Sequence, residues 1–356
     1  MDTALNFSFF DDPLLLYNAM WEDIKNAKKY VYIETYKFGN DPIGERFRDI
    51  LIKKAKEGIE IKILVDSWGA TVNKEFFKEM IQYGAQVVFF QKIKIHLDLF
   101  SKNHLRNHRK LFIVDDNTVY VGSANISNHS LNWRESVLRL EHPIALKFKN
   151  IFFEHFNFSE KLFPNKKRLT RPLYFQGFEI IRDIPGNIFQ PTKKKFLQLI
   201  KKAKTEIIIE TPYFLPGKDI RKSIIDAAHR GVSVHIITPQ HSDVGLFDIL
   251  RNKYLGKLIE ENINIHYYRP HNLHAKLLIV DRETFVMGSS NFDYRSFRFM
   301  HEINLVGNNQ QIIQVLLNHI ETSKADCIPF NYELWLKRPK TLKIIECMLV
   351  PIRHLF

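Results

Sequence analysis

"IKNAKKYVYIETYKF", residues Ile24–Phe38, returns almost unchanged as "IKKAKTEIIIETPYF", residues Ile200–Phe214. Each version ends a basic helix and runs into a strand rich in β-branched residues, and a block that recurs on this scale means two copies of one unit. The flanking sequence agrees. "RDILIKKAKEGIEIKILVD" (Arg48–Asp66) corresponds to "RKSIIDAAHRGVSVHIITP" (Arg221–Pro239), and "FFKEMIQYGAQVVFF" (Phe76–Phe90) to "LGKLIEENINIHYY" (Leu255–Tyr268). In each, an amphipathic helix is followed by Gly58, Gly231, Gly84 or Asn262, where a left-handed cap is wanted, and then by an alternating strand. Regular alternation of helix and strand predicts the α/β class, with one α/β/α sandwich and one mostly parallel sheet per half. The halves are expected at residues 1–165 and 166–356, with the seam near "FPNKKRLTRPLYFQG" (Phe163–Gly177), a run of breakers and basic residues.

Length and composition fit that division. A chain of 356 residues that is 45% apolar can bury two ordinary cores. Its 52 Lys and Arg against 39 Asp and Glu leave a net charge of +13, which favours an anionic partner, nucleic acid or acidic phospholipid. The two cysteines, Cys327 and Cys347, are too few and too isolated for a disulfide framework or a zinc site, so a reducing compartment is expected. The start, "MDTALNFSFFDDPLLLYNAM", carries acidic residues where a secretory signal needs basic ones. No stretch has the apolar length of a transmembrane helix. The end, "LKRPKTLKIIECMLVPIRHLF", joins a basic stretch to an apolar one, which suits a bilayer interface or a tail packed on its own domain.

A second repeat carries the chemistry. "NHRKLFIVDDNTVYVGSAN" (Asn107–Asn125) and "LHAKLLIVDRETFVMGSSN" (Leu273–Asn291) each hold His, Lys two later, Asp five after that, then Gly-Ser and Asn. The members are His108, Lys110, Asp115, Ser123 and Asn125 in one copy, and His274, Lys276, Asp281, Ser289 and Asn291 in the other. Residues two apart in an extended chain share a face, so each histidine points with its lysine, while the aspartate falls on the other face or in the turn and is expected to anchor it. Imidazole, ammonium and carboxamide gathered at one point, with Ser123 and Ser289 beside them, suit phosphate oxygens. An isolated His-x-Lys is more often surface decoration, but two copies with the same continuation make chance a poor account. A nucleophilic histidine needs its far ring nitrogen held by a carboxylate, and the candidates are Glu135 in "NWRES" and Glu302 in "MHEIN".

These paired H-x-K-x4-D-x6-G-S-x-N motifs resemble the phospholipase D superfamily, over nearly the whole chain. The resemblance implies two α/β halves related by a pseudo-two-fold, one active site at their interface, and a catalytic set of His108, Lys110, Asp115, His274, Lys276 and Asp281 working without metal or other cofactor. "NWRE", "IETPYFLP" and "GSSNFDYRSFRFMHEINL" are in turn similar to bacterial cardiolipin synthases. That likeness implies transfer of a phosphatidyl group from one phosphatidylglycerol to another through a phosphohistidine, with release of glycerol. The implied partner is anionic phospholipid, with the protein peripheral on the cytoplasmic side of a bacterial membrane. It further implies His108 as the attacking residue, oriented by Glu135, with His274 as general acid and base. Water as acceptor would make the same site a phospholipase D; the positive charge would also serve a nuclease of the superfamily, although a nuclease gains little from the apolar tail.

Three further features are open. "QKIKIHLDLFSKNHLRNHRK" (Gln91–Lys110) reads as a lipid-facing wall or as an edge strand and loop. Glu34 and Glu210, repeated in "IET", read first as exposed strand ends and second as groups that orient Lys or His from below. His104, His129, His266, His271 and His301 lack ligand-like spacing and are not expected to bind metal.

Overall fold

The computed structural model describes residues 5–90, 105–157, 169–186, 190–351 and 353. The N-terminal half contributes β1 (Asn6–Phe10), β2 (Tyr30–Thr35), β3 (Glu60–Asp66), β4 (Gln86–Phe90), β5 (Arg106–Asn107), β6 (Leu111–Val114), β7 (Thr118–Gly122) and β8 (Val137–Glu141). The C-terminal half contributes β9 (Leu173–Phe175), β10 (Phe178–Asp183), β11 (Glu206–Glu210), β12 (Phe214–Leu215), β13 (Ser233–Pro239), β14 (Asn264–Tyr268), β15 (Leu277–Val280), β16 (Thr284–Gly288), β17 (Phe292–Asp293), β18 (Met300–Gly307) and β19 (Cys327–Pro329).

The repeat is visible in the strand order. The first sheet runs β1-β8-β7-β6-β2-β3-β4, and the second contains β10-β18-β16-β15-β11-β13-β14 in the corresponding sequence, extended at its edges by β9 and β19. Along these two strand orders parallel pairing is confined to β2-β3-β4 and to β11-β13-β14, the remaining neighbours being antiparallel; off the second order, the short β5 adds to β18 in parallel. The expected mostly parallel sheets are therefore mixed. The cause lies in the motif itself: β6 to β7 and β15 to β16 are hairpins with no crossover helix, and a hairpin can only return antiparallel. Their turns begin at Asp115 (φ 52) and Asp281 (φ 55), left-handed positions that Asp tolerates. The helix-ending Gly58, Gly84 and Gly231 and Asn262 also adopt positive φ, so each helix stops where its strand must start.

One core joins the halves. Phe148 and Phe152, on the helix Ala145–Phe156, and Leu316 and Ile320, on the helix Gln310–Ala325, pack with the facing sides of both sheets. The outer faces are covered separately: by Leu16, Trp21, Phe47 and Leu51 on the helices Pro13–Asn26 and Pro42–Lys56, and by Phe196, Ile200, Ile220 and Ile224 on the helices Pro191–Lys202 and Lys218–His229. Each large side chain buried in this way contributes about 1.5–3 kcal/mol. Because the central layer is shared, separating the halves would expose it. The expected boundary at 165/166, and most of the Gln91–Lys110 segment, lie outside the described residues.

Candidate active site

Each motif histidine is tied by its backbone to the other half. β5 pairs in parallel with Met300 and His301 of β18, and the His108 amide donates to the His301 carbonyl at 3.0 Å. The counterpart is a bridge between Arg134 and Leu273, with the amides of His274 and Ala275 donating to the Arg134 carbonyl at 2.8 and 2.9 Å. Arg134 and His301 each precede a glutamate, so each strap delivers a histidine to the carboxylate of the opposite half. His108 Nδ1 lies 3.0 Å from Glu302 Oε1, and His274 Nδ1 lies 2.9 Å from both oxygens of Glu135. The expected pairing of His108 with Glu135 is thus reversed.

With Nδ1 of each ring on a carboxylate, Nε2 is left for chemistry. His108, His274, Asn125 and Asn291 line one cavity of about 440 Å³. Lys110 and Lys276 are buried behind the histidines, each Nζ donating to the carbonyl of its own motif histidine at 2.7 Å. Tyr36 packs edge-on to His108 at 5.3 Å between ring centroids, and Trp133 tilts over His274 at 4.8 Å.

Two groups of expected site residues serve other atoms. The hydroxyls of Ser123 and Ser289, expected to bind substrate phosphate, donate to the Glu135 and Glu302 carboxylates and accept from the amides of Ser136 and Ile303. They fix the glutamates rather than facing the cavity. Gly122 and Gly288 precede them because a Cβ there would come within 2.2 Å of the Ser136 carbonyl oxygen or 2.3 Å of that of Ile303. Asp115 and Asp281, counted with the catalytic set, lie at the far ends of β6 and β15. Asp115 accepts from the amides of Lys28, Lys29 and Tyr30, and Asp281 from those of Lys204, Thr205 and Glu206. Both clamp a hairpin turn to the start of the neighbouring strand.

The site's electrostatics are those of cations held out of water. Burial lowers Lys110 to about 8 and Lys276 to about 7. Burial also takes His108 well below the ordinary imidazole value, with Lys110 and Lys276 adding to it, and takes His274 to about 4 against the pull of Glu135. The glutamates differ. Burial pushes Glu302 up to about 7, whereas at Glu135 burial is outweighed by His274 and Lys276, and the carboxyl stays below its usual range. Cations held out of water in this way suit an anionic ligand, because a phosphodiester between the lysines restores charge balance.

The chain matches the family described as cardiolipin synthase, PLD-like domain, over residues 20–156 and 196–323. It belongs to that family. It is 30% identical to the major cardiolipin synthase ClsA of Bacillus subtilis (strain 168) over 343 residues, which cover 93% of this chain and 71% of that protein. It is also 30% identical over 348 residues to a cardiolipin synthase of Listeria monocytogenes serotype 4a (strain HCC23), with the same coverage. The fold matches a phosphatidylserine synthase of Haemophilus influenzae Rd KW20 with a TM-score of 0.79 at 16% identity, covering 98% of this chain and 95% of that one.

Beyond the motif residues of this phospholipase D-like site, the structure adds several that the sequence did not single out. Lys37, Tyr213 and Arg295 line the cavity; Arg295 lies inside the stretch "GSSNFDYRSFRFMHEINL" but had no assigned role. Glu34 and Glu210, read as exposed strand ends, are buried. Glu34 pairs with His155, whose other nitrogen meets His301 Nδ1 at 3.1 Å, and Glu210 meets His319 Nε2 at 2.7 Å. Their recurrence in "IET" was the available signal, since a carboxylate repeated in both copies is seldom idle. Among the described residues no group of His, Cys, Asp and Glu is arranged to hold a metal ion.

Proposed function

We propose that the protein is a phosphatidyltransferase of the cardiolipin synthase type, moving a phosphatidyl group from one phosphatidylglycerol to the hydroxyl of a second. The observation that carries this reading is the pair of crossed His–Glu contacts, His108 with Glu302 and His274 with Glu135, facing one cavity. His108 Nε2 attacks phosphorus, the bond from phosphorus to the glycerol oxygen breaks, and His274 Nε2 delivers the proton to that oxygen. The second phosphatidylglycerol then gives its hydroxyl proton to His274, its oxygen attacks the phosphohistidine, and His108 is released. Lys110 and Lys276, with Asn125 and Asn291, hold the non-bridging oxygens and favour the crowded, more negative transition state. His274 must be protonated for the first step; a bound phosphodiester raises a pKa that burial, with Lys276 and Lys110 adding to it, holds near 4.

The difference between the glutamates supports the same division of labour. An ionised Glu135 stabilises the imidazolium that an acid–base His274 needs, while a less acidic Glu302 suits a His108 that must stay neutral to attack. Exposed apolar residues beside lysines near the C-terminus support peripheral attachment to an anionic membrane, which we place at the cytoplasmic face of a bacterial cell. No helix among the described residues is long and apolar enough to cross one.

The test is incubation with phosphatidylglycerol liposomes and identification of products by mass spectrometry. Cardiolipin and glycerol in equal amounts are expected. Phosphatidic acid as the main lipid product would mean that water is the acceptor, and unchanged lipid would remove the reading altogether.

A further inference from the structure

The groups placed around the reacting phosphorus come in pseudo-two-fold pairs: His108 with His274, Lys110 with Lys276, Asn125 with Asn291. A phosphodiester between the halves sits where such a set expects it. Two cations line the same cavity outside this set, Lys37 and Arg295, and their counterparts in the repeat are Tyr213 and His129. They break the symmetry of the site.

Arg295 is the more informative of the two. It opens the short helix Tyr294–Phe299, whose position is fixed on both sides: the Ser296 amide donates to Asp293 Oδ1 at 2.6 Å, and the Ser296 hydroxyl donates to Glu302 Oε1 at 2.9 Å. Yet its guanidinium makes no hydrogen bond or ion pair with a described residue, and Nε is buried without a partner. Arg295 is only partly exposed, and arginines that are fully buried are engaged: Arg109 donates to the carbonyls of Glu302 and Asp183, and Arg251 to those of Pro239 and Gln240. A buried N–H with no acceptor is destabilising, so an arginine left in this state on a rigid turn beside a cavity is built for a ligand. Arg295 lines the same cavity as His108 and His274, from the C-terminal half.

We infer that Arg295 binds a second phosphodiester, the one carried by the acceptor lipid. The inference rests on the phosphatidyltransferase reading above. In that reaction the first half involves one phosphate, and the paired groups suffice for it. The second half brings in a phosphatidylglycerol whose own phosphate lies a glycerol's length from the attacked phosphorus, off the pseudo-two-fold axis. An unpaired guanidinium fork, with two parallel donors for two phosphate oxygens, recognises that group and distinguishes an anionic lipid alcohol from water or free glycerol.

The experiment uses the full chain on phosphatidylglycerol vesicles in the presence of isotopically labelled glycerol. The phosphohistidine then has two acceptors, one with a phosphate and one without, giving cardiolipin or labelled phosphatidylglycerol. In Arg295→Ala, and less so in Arg295→Lys, the ratio of cardiolipin to labelled phosphatidylglycerol falls about 10- to 100-fold, the value of a charge-assisted phosphate contact. The Michaelis constant for phosphatidylglycerol as acceptor carries the change. A ratio equal to the parent's, with both products declining together, overturns the inference and assigns Arg295 to the reacting phosphate. Arg295→Gln, with its thermal midpoint measured, replaces any variant that fails to fold. If the parent itself incorporates labelled glycerol but never forms cardiolipin, the underlying transferase reading has failed, and that result is visible before any variant is made.

Discussion

At Glu302 the carboxyl is pushed up to about 7 by burial, while Glu135, as deeply buried, is held low by His274 and Lys276. Because the glutamates cross between halves, each should share the phenotype of the histidine it holds, not of the motif it follows. Glu302→Gln is expected to cost roughly 100- to 10,000-fold in turnover and to abolish a covalent phosphatidyl adduct on His108, since an amide cannot favour the required ring form. Glu135→Gln should lose as much turnover with the natural leaving group yet form adduct from a substrate with a good one, which needs no proton. Acid-quenched peptide mapping separates the two, and adduct in Glu302→Gln but not in Glu135→Gln would reverse the assignment. Lys276 makes a different prediction. Its native pKa of about 7 lies below its ordinary value, so between these limits the unfolded chain binds the extra proton and stability rises with pH. The penalty is complete below about pH 7 and vanishes above the ordinary lysine range. Lys276→Met is therefore expected to be inactive but more stable than the parent by roughly 2–4 kcal/mol near pH 6, with the gain shrinking toward pH 10 in denaturant titrations. A pH-independent difference would mean that burial does not strain this ammonium.

The hairpins β6–β7 and β15–β16 show how one element both builds the fold and aims the chemistry. At one end stands the His-x-Lys, at the other an aspartate that binds three backbone amides of the neighbouring strand's start. Asp281→Asn is expected to lower unfolding stability by about 1–2 kcal/mol while leaving turnover per folded molecule within a few-fold, because it loosens the turn and touches no substrate. A variant of parental stability but without activity would return Asp281 to the reaction. The parity of the motif made this legible: an odd offset from histidine put the aspartate off the catalytic face. The same local reasoning fixed the helix-ending Gly58 and Asn262, the repeat, and the union of His108 with Lys110. It failed where the answer is tertiary. Glu135 and Glu302 follow their own histidines at nearly the same spacing, and no local rule reveals that the β5–β18 strap and the Arg134 bridge exchange them. Mixed rather than parallel sheets escaped for a related reason, since helix–strand alternation was extended across a hairpin whose Asp-initiated turn needs no helix. Glu34 and Glu210 were misread because a carboxylate at a strand end is usually solvated, and their histidine partners come from helices far along the chain.

On the scale of the whole molecule, the proposed transfer requires the site to meet a phospholipid at a bilayer surface. The helix Lys340–Leu349 lies against the helix Gly245–Ile259: Leu349 and Val350 pack with Phe247 and Leu250, and Phe247 also lines the catalytic cavity. The outer side of this wall carries exposed Leu246, Leu334, Ile344 and Met348, interspersed with exposed Lys337, Lys340 and Lys343. Apolar residues flanked by lysines at the rim of a phosphate site match an anionic membrane surface, with each lysine adding about 1 kcal/mol near the headgroups and each inserted side chain about 1.5–3 kcal/mol. Deleting the tail is a poor test, because Leu349 packs against Phe247 of the cavity wall and its loss would disturb the site as well as the surface. Substitution on the outward face avoids this. The double variant Ile344→Glu, Met348→Glu is expected to keep the parental melting temperature and full activity on a short-chain, monomeric phosphatidylglycerol. Its sedimentation with vesicles rich in phosphatidylglycerol should weaken at least about tenfold, and parental binding should itself decline with salt as the lysine contribution is screened. Undiminished vesicle binding by the double variant, or parental binding to neutral vesicles that is insensitive to salt, would place the membrane contact elsewhere on the molecule.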